Sequence, residues 1–266
     1  MRPTLAVDWF EAGRVRLLGK GKVKQMKIFV FGEAMLEFHS RGGSGLRYGG
    51  DTINTAIQLA RRGSDVAYVT AVGCDPISDA LVAAWQAEGL DTNHVLRHPE
   101  RSPGIYAIHL DDVGERSFLY WRERSAAREM FSLSGMERTL EEARGSGLVY
   151  FSLITLAVIG EVGRESLLDL ARYRKSNGLA VAYDSNYRTS LWETRELALA
   201  ASMAAVRTST IGLPTNSDEF DLVAQRQDLP EVASRWLEAG CSEVVIKAGA
   251  DGCFYASPEQ SFAQAA

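Results

Sequence analysis

Two patterns of apolar residues alternate along this chain, short continuous runs and longer stretches with a helical period. Mostly apolar runs at Ile28–Phe31, Ala67–Val72 and Glu243–Lys247 are typical of strands that are buried on both faces. After the first of these, Thr52–Arg62 carries apolar residues at i, i+3, i+4 and i+7, which predicts a helix with one buried face. Strands that alternate with helices in this way predict an α/β protein with a parallel sheet covered on both sides.

The alternation continues towards the end of the chain. Further strands are predicted at Leu148–Leu153, Leu179–Tyr183 and Thr208–Leu213. Further helices are predicted at 76–88, at Gly163–Ser176, at Glu231–Ala239 and at or before Glu219. The first of these helices follows Asp75 and Pro76, an N-cap with proline at the first helical position.

Two segments break this alternation. Gly104–Asp111 and Arg116–Arg122 are strand-like runs joined by "DVGE", a pattern that predicts a β-hairpin. The irregular stretch Met35–Tyr48 lies between the first strand and the first helix. We expect these segments, about 35–48 and 104–123, to form a small β-element beside the main sheet, either as a lid over a site or as a decorative hairpin.

Composition narrows the classes of function. The 266 residues carry a net charge of -5, which argues against a general nucleic-acid binder. No apolar run is long enough to span a membrane, so we expect neither nucleic acid nor a membrane as a partner. Cys74, Cys241 and Cys253 lack a metal-like spacing and predict a reducing, cytoplasmic location.

The first 25 residues differ from the rest of the chain. Asp8 and Glu11 interrupt their apolar part, so the apolar core of a signal peptide is not formed. We expect residues 1–25 to be a disordered extension and residues 26–266 to form one folded domain.

The predicted first helix opens with an unusual sequence, "RYGGDTINTA". Gly49 and Gly50 remove two side chains where backbone N–H groups point outward, Asp51 follows, and Asn54 lies in the first turns. A helix N-terminus has unpaired donors and a partial positive charge, so this entrance lets a polar ligand approach closely. The alternative is a tight turn followed by a helix in which Asn54 is merely solvated.

Polar residues also follow the later strands, at the edge where open parallel sheets bind ligands. They are Asp184 and Arg188 in "YDSNYR", Asn216 and Glu219 in "LPTNSDEF", and Lys247 before "AGADG". In the hairpin, Tyr120 and Arg122 share one strand face, and Tyr106 lies on the partner strand. A hydroxyl donor and a planar guanidinium suit a carboxylate ligand, although each residue alone also fits a solvated surface or a turn.

Together these motifs resemble the ribokinase-like sugar kinase family, and within it the bacterial 2-keto-3-deoxygluconate kinases. The matching segments occur in the family's order over roughly residues 27–256 and are "GGDTINTA", "PGIYAI", "GERSFLYWRERSAA", "YDSNYRTSLW", "LPTNSDEF" and "VVIKAGADG". The resemblance implies a three-layer α/β/α fold with a mostly parallel central sheet and a small β lid. It also implies transfer of the γ-phosphoryl group of ATP to a small sugar acid, 2-keto-3-deoxygluconate.

The resemblance further implies roles for the residues in these motifs. The substrate-binding set is Gly49, Gly50, Asp51, Asn54, Tyr106, Tyr120, Arg122, Asp184 and Arg188. The set near ATP is Asn216, Lys247, Gly249 and Gly252, and Asn216 with Glu219 matches an Asn-x-x-Glu motif associated with Mg²⁺ and phosphate. A homodimer through the lid strands is expected from the same resemblance.

One segment of the family pattern is absent from this sequence. Members carry a late "DTxGAGD"-like segment that holds the catalytic base and an anion hole. "AGADG" does not replace it, because "CFYAS" after it reads as a strand and an anion hole needs a following helix. We therefore expect a truncated chain with the last elements of the sheet missing, no catalytic base within residues 1–266, and little or no kinase activity.

Three alternative functions stay open. One is another ribokinase-like kinase of the fructokinase type, although two arginines in the sugar site favour an acid. Another is a non-catalytic sugar-acid-binding protein that has lost its phosphoryl-transfer half. A dehydrogenase is the weakest, since no G-x-G-x-x-G follows the first strand.

Overall fold

A central β-sheet with helices on both faces and a separate small sheet make up the described part of the protein. The computed structural model describes residues 26–39, 46–110 and 116–266. The predicted extension at 1–25, residues 40–45 of the predicted segment 35–48, and the "DVGE" turn of the hairpin lie outside the described residues.

The strands are β1 (Ile28–Phe31), β2 (Met35–His39), β3 (Tyr48–Gly49), β4 (Val66–Gly73), β5 (Val95–His98), β6 (Ile105–Leu110), β7 (Arg116–Trp121), β8 (Leu148–Ser152), β9 (Ala180–Asp184), β10 (Ile211–Leu213), β11 (Glu243–Lys247), β12 (Cys253–Ala256) and β13 (Ser261–Gln264). The helices are α1 (Asp51–Arg61), α2 (Pro76–Ala87), α3 (Met136–Arg144), α4 (Leu153–Val158), α5 (Gly160–Ser176), α6 (Arg195–Thr208), α7 (Asn216–Val223) and α8 (Leu229–Glu238). In the described ranges, no helix combines the length and the apolar character that crossing a membrane requires.

The central sheet is mostly parallel. Within the described residues, nine strands form it in the order β13-β12-β11-β10-β9-β8-β1-β4-β5. Neighbours from β11 to β5 are parallel, and β12 and β13 are added antiparallel at one edge. The parallel sheet predicted from the apolar pattern is thus confirmed. The strands from β5 to β11 along this order run the same way, so the carboxyl ends of the parallel strands lie together on one side of the sheet, which we call its carboxyl edge. They include the ends of β1, β8, β9, β10 and β11.

Apolar side chains from both faces of the sheet form two separate cores. On β1, Phe29 and Phe31 point to one face and join a buried cluster with residues of α3 to α8. Ile28 and Val30 point to the other face and pack with residues of α1 and α2. This alternation follows from the two-residue repeat of a strand, and it produces the helix, sheet and helix layers.

Most predicted elements match observed ones to within three residues at each end, and two of the differing boundaries have an identifiable cause. β8 ends at Ser152, one residue before its predicted end, because the Ser152 hydroxyl accepts a hydrogen bond from the Thr155 N–H (3.2 Å) and caps α4. The strand predicted at Thr208–Leu213 is wrong in its first three residues, because α6 extends to Thr208 and β10 begins at Ile211. The apolar pattern carried no prediction for α3, α4 and α6.

The remaining strands form the small sheet, β3-β2-β6-β7. It contains the predicted hairpin, in which Tyr106 of β6 lies opposite Tyr120 of β7. On its other side β6 pairs with β2, where Glu37 lies opposite Tyr106. Facing residues of paired strands lie on one side of a sheet, so Glu37, Tyr106 and Tyr120 share one face. The small sheet forms beside the main sheet as expected, and its role as a lid stays a prediction.

Candidate active site

The start of α1 lies where the small sheet meets the end of β1. Gly50 precedes α1 with φ of +147°, a conformation that favours glycine, and an added Cβ would lie 2.6 Å from the Glu33 carbonyl oxygen. An added Cβ at Gly49 would collide with the Tyr106 hydroxyl. The two glycines therefore let the β1 backbone and the small sheet approach the helix start closely.

Asp51 connects the start of α1 to the neighbouring strand ends. Its carboxylate accepts hydrogen bonds from the Ser152 hydroxyl and from the Asn186 side-chain amide (3.2 Å). Burial is the largest influence on its pKa and raises it. Asn54, by contrast, is exposed on α1. The structure thus places Asp51 beside the ends of β8 and β9 and leaves Asn54 on the exposed surface of α1.

The shared face of the small sheet carries two stacked tyrosines. The Tyr106 and Tyr120 rings are 6.1 Å apart between centroids, and the buried Tyr106 hydroxyl donates to the Glu37 carboxylate. Burial and the adjacent Glu37 raise the pKa of Tyr106, so this hydroxyl is neutral at pH 7. Tyr120 is exposed, which makes it the accessible member of the pair.

Arg122 follows β7 and forms a buried ion pair with Glu33. Its Nη2 donates to Glu33 Oε2, and the side chains are 8% and 1% exposed respectively. Arg122 Nε and Glu33 Oε1 are buried and lack a hydrogen-bond partner among the described residues. Since buried polar atoms are normally paired, this pair has hydrogen-bonding capacity left for a ligand or a water molecule.

Two further cations lie along the carboxyl edge of the sheet. Lys247 Nζ donates to both carboxylate oxygens of Asp184, at 2.7 Å each, and the Tyr150 hydroxyl donates to the same carboxylate at 3.3 Å. Arg188 lies 3.8 Å from Asp218 Oδ2. Burial raises the pKa of Asp218, with the Arg188 charge acting in the opposite direction.

Each of these three cations is therefore paired with a carboxylate from another part of the chain. The pairs are Arg122 with Glu33, Arg188 with Asp218, and Lys247 with Asp184. We call them the paired cations. Each pair therefore links a positively charged side chain to a carboxylate that is distant in sequence.

Asn216 and Glu219 point to different surroundings, although both belong to α7. Glu219 is buried, and its Oε2 accepts hydrogen bonds from Arg235 and from the Trp236 indole N–H (3.1 Å). Asn216 instead lines an open hollow of about 490 Å³ together with Phe220 and Arg226. A metal-binding role for Glu219 stays a prediction. Its Oε2 is taken by Arg235 and Trp236, and its Oε1 is buried with no partner among the described residues.

The Lys247 end of the edge fits a phosphate group. Lys247 is partly exposed, and Gly249 has φ of +60° with no atom within 4 Å of an added Cβ. A cation beside accessible backbone suits a phosphate. Gly252 differs, because an added Cβ there would collide with the Gln264 carbonyl oxygen, so that glycine packs against β13.

The described residues form less of a binding site for a divalent metal ion than for a phosphate group. In the part of the chain that the structure describes, no three His, Cys, Asp or Glu side chains are grouped to hold a metal. Ions of this kind that are bound with a nucleotide take many ligands from phosphate oxygens and water. A divalent metal ion in this site would therefore take most of its ligands from the nucleotide and from water.

Several residues of this site were not predicted from the sequence. Asn186 and Asp218 lie inside the quoted motifs "YDSNYR" and "LPTNSDEF", so a signal for them was present. Glu33 comes two residues after the first strand, in "FGEAM", and this position just past a strand end was the available signal. No sequence signal marked Ser152, because its hydroxyl caps α4 and the apolar pattern did not predict that helix.

Comparison with known proteins identifies relatives along most of the chain. The 2-dehydro-3-deoxygluconokinase of Escherichia coli (strain K12) is 38% identical over 232 residues, which are 85% of this chain and 75% of that protein. The fructokinase of Salmonella typhimurium is 26% identical over 205 residues, 76% of this chain and 64% of that protein. Of these two relatives, the chain is more similar to the 2-dehydro-3-deoxygluconokinase than to the fructokinase.

Solved structures show the same fold. The crystal structure of 2-dehydro-3-deoxygluconokinase from Thermotoga maritima matches with a TM-score of 0.74 and 23% identity, over 89% of this chain and 78% of that chain. Residues 27–266 match the description "pfkB family carbohydrate kinase", a class of enzyme that binds a sugar and ATP with a divalent metal. This chain therefore belongs to the pfkB family of carbohydrate kinases.

Proposed function

We propose that this carbohydrate kinase transfers the γ-phosphoryl group of ATP to the terminal hydroxyl of 2-keto-3-deoxygluconate, which is also named 2-dehydro-3-deoxygluconate. The observation that carries the proposal is the buried guanidinium of Arg122 at the junction of the small sheet and the end of β1. The planar fork of arginine suits a carboxylate, and Arg122 Nε has no partner among the described residues. The 38% identity to the Escherichia coli enzyme supports the same substrate class.

In this proposal the sugar acid binds between the small sheet and the start of α1. Arg122 binds the carboxylate, Arg188 adds a second positive charge, and the exposed Tyr120 covers the sugar chain. The remaining proposed contacts are Gly49, Gly50, Asn54 and Tyr106, with Asp51 and Asp184 placing the neighbouring groups. Such a reaction depends mostly on positioning and charge neutralisation, and these residues supply both at the sugar end.

The phosphate end of the proposed site lies at Lys247. Lys247 and the backbone around Gly249 would hold the phosphates, with Asn216 and Gly252 nearby. When bound, ATP with Mg²⁺ supplies the phosphoryl group and neutralises its charge. We assign no residue of the described ranges as the base that takes the hydroxyl proton, so binding has to be measured separately from turnover.

Two further properties belong to the proposal. The three cysteines, all within the described residues, are unpaired, which supports a reducing, cytoplasmic compartment. The outer face of the small sheet exposes apolar side chains, including Leu119 and Trp121, which supports a homodimer through this sheet.

The test is calorimetric titration of the 266-residue chain with 2-keto-3-deoxygluconate and, separately, with fructose. We expect binding of the sugar acid and little of fructose. Arg122→Met should weaken sugar-acid binding by about tenfold or more, the size of one lost charge-assisted hydrogen bond. A coupled ADP-release assay with ATP and Mg²⁺ then measures turnover on the same samples.

Arg164→Met provides the matched control. Arg164 is a partly buried arginine that lies over the Trp192 ring (4.9 Å) and outside the site, so its replacement should leave sugar-acid binding unchanged. Preference for fructose would contradict the proposed substrate class. Sugar-acid binding without ADP release is the result expected of this chain, and robust ADP release would contradict the prediction that residues 1–266 hold no catalytic base.

A further inference from the structure

Glu33 occupies a central place in the site without belonging to the set predicted from the sequence. It follows β1, and its side chain is 1% exposed. Its carbonyl oxygen abuts Gly50 at the start of α1, and its carboxylate accepts from Arg122 Nη2. Glu33 therefore contacts both of the elements between which the sugar acid is proposed to bind.

The pair that Glu33 forms with Arg122 is only partly satisfied. Only the contact from Nη2 to Oε2 joins them, while Glu33 Oε1 and Arg122 Nε are buried without a partner in the described residues. Gly104 leaves the room for this arrangement, because an added Cβ would lie 3.0 Å from Glu33 Oε1 and 3.1 Å from the Arg122 Cβ. The site thus contains a fixed guanidinium with donor capacity that the protein does not use.

We propose that Glu33 is a positioning residue that holds the Arg122 guanidinium for the carboxylate of the sugar acid. Glu33 fixes one Nη group, which leaves the rest of the fork to the ligand. The inference rests on the proposed function, because it names the partner that prepares the same carboxylate site.

A purely structural role explains this pair less well. A buried ion pair is costly to desolvate, and apolar side chains of similar volume often replace one without loss of stability. The pair here also leaves a buried donor and a buried acceptor unpaired, which a packing role would avoid. Restricting a flexible arginine before the ligand arrives lowers the entropy lost on binding, and this gives the pair a function.

The experiment is a double-mutant cycle on the dissociation constant of 2-keto-3-deoxygluconate, measured by calorimetry. Glu33→Gln should weaken binding by about tenfold, the size of one charge-assisted hydrogen bond. Arg122→Lys should also weaken binding, because a lysine keeps the charge but loses the fork. The double variant should bind no more weakly than Arg122→Lys alone, since Glu33 acts through the fork.

Asp91→Asn is the matched control. Asp91 pairs with Lys27 at the amino end of β1 and β4, the opposite end of the sheet, and its side chain is 16% exposed. Its replacement also removes a carboxylate from an ion pair, but it should leave the dissociation constant unchanged. If Glu33→Gln does not fold, Glu33→Asp enters the cycle in its place and should weaken binding by less, because it keeps the charge.

The outcomes separate the inference from the proposed function. A wild-type chain that does not bind the sugar acid overturns the proposed function and this inference with it. A wild-type chain that binds, with a Glu33→Gln variant that binds equally well or more tightly, overturns only the role of Glu33. Additive effects of the two substitutions also overturn it, because they show that Glu33 does not act through Arg122.

Discussion

Arg174 is a fully buried cation whose guanidinium donates to main-chain carbonyls and one hydroxyl. Within the described residues, its acceptors are the carbonyls of Ala143, Arg144, Ser146 and Ala180 and the Ser146 hydroxyl, at 2.6 to 3.2 Å. Two of these carbonyls end α3, where the helix dipole is negative. Burial lowers the pKa of Arg174 to about 10, so the side chain stays charged at neutral pH and connects α3 to β9.

Replacing Arg174 by methionine should destabilise the fold strongly. The substitution leaves several buried carbonyls without donors, and we expect the free energy of unfolding to fall by about 3 kcal/mol. Urea unfolding followed by tryptophan fluorescence measures the change. Arg172→Met is the control, since Arg172 is mostly exposed on the same helix and should have little effect. Equal losses in the two variants would contradict the role of the buried guanidinium.

Single residues also show how far the sequence could predict the site. Gly49, Gly50 and Asp51 lie together in one local motif, so the pattern pointed to them directly. Glu33 and Arg122 are 89 residues apart, and no local pattern states that two such distant side chains form a pair. Contacts of this kind depend on the order of the strands, which the apolar pattern does not contain.

Among the secondary-structure elements, α2 shows how one N-cap residue, Asp75, stabilises the start of a helix. Asp75 Oδ1 accepts hydrogen bonds from the N–H groups of Ile77 (3.0 Å) and Ser78 (2.9 Å), and Oδ2 accepts from the Ser78 hydroxyl at 2.8 Å. Burial alone would raise the pKa of Asp75, but the hydrogen bonds outweigh it and hold the pKa below its ordinary value. The ionised form of Asp75 is therefore the one that stabilises the helix start.

Asp75→Ala should cost about 1 kcal/mol of unfolding free energy at pH 7. The pKa of Asp75 is lower in the folded state, so its contribution is present above the unfolded pKa of about 4 and is lost as the pH falls through the folded value. The difference between wild type and variant should therefore narrow on acidification, as urea unfolding at pH 7 and near pH 3 would measure. Asp79→Ala, on the exposed side of the same helix, is the control, and a pH-independent difference would contradict this account.

The change from β8 to α4 is an element boundary that the sequence pattern could not predict. Leu153–Val158 is a short apolar run that directly follows an apolar strand, and periodicity alone does not separate strand from helix in such a run. Ser152 decides the outcome, because its hydroxyl caps α4. The N-cap of α2 was predictable by contrast, since Asp75 and Pro76 stand at a clear break in the apolar pattern.

For the whole molecule, the outer face of the small sheet is the surface proposed above for a homodimer. Strand pairing places Phe38, Ala107 and Leu119 on one face, and Ile105 and Trp121 share it. All of these except Ala107 are exposed, Trp121 by 57%. A contiguous apolar patch of this kind commonly marks a protein interface.

We expect the wild-type chain to sediment as a dimer and Trp121→Glu to sediment as a monomer. A buried, unpaired carboxylate in the interface opposes association, and analytical ultracentrifugation measures the effect. Val162→Glu is the control, because Val162 on α5 is even more exposed (72%) but lies outside the small sheet. A wild-type chain that remains monomeric at high concentration would contradict the proposed dimer.

The arrangement of the whole fold was only partly accessible from the sequence. Alternating strands and helices predict a parallel sheet, and the structure has one. The same pattern does not say that β1 lies between β4 and β8, nor that the Glu219 carboxylate faces α8 rather than the sheet edge. Both follow from packing between distant segments, which local periodicity does not record.

The paired cations have a consequence for how ligands reach this protein. Because Arg122, Arg188 and Lys247 each lie beside a carboxylate, their positive charges are largely cancelled at distances beyond the pair. If the proposed function is correct, an approaching sugar acid experiences little long-range attraction from these three cations, and their contribution to its rate of encounter should depend only weakly on ionic strength. Recognition of such an anion then depends on short-range hydrogen bonds to the guanidinium rather than on long-range attraction by a net positive charge.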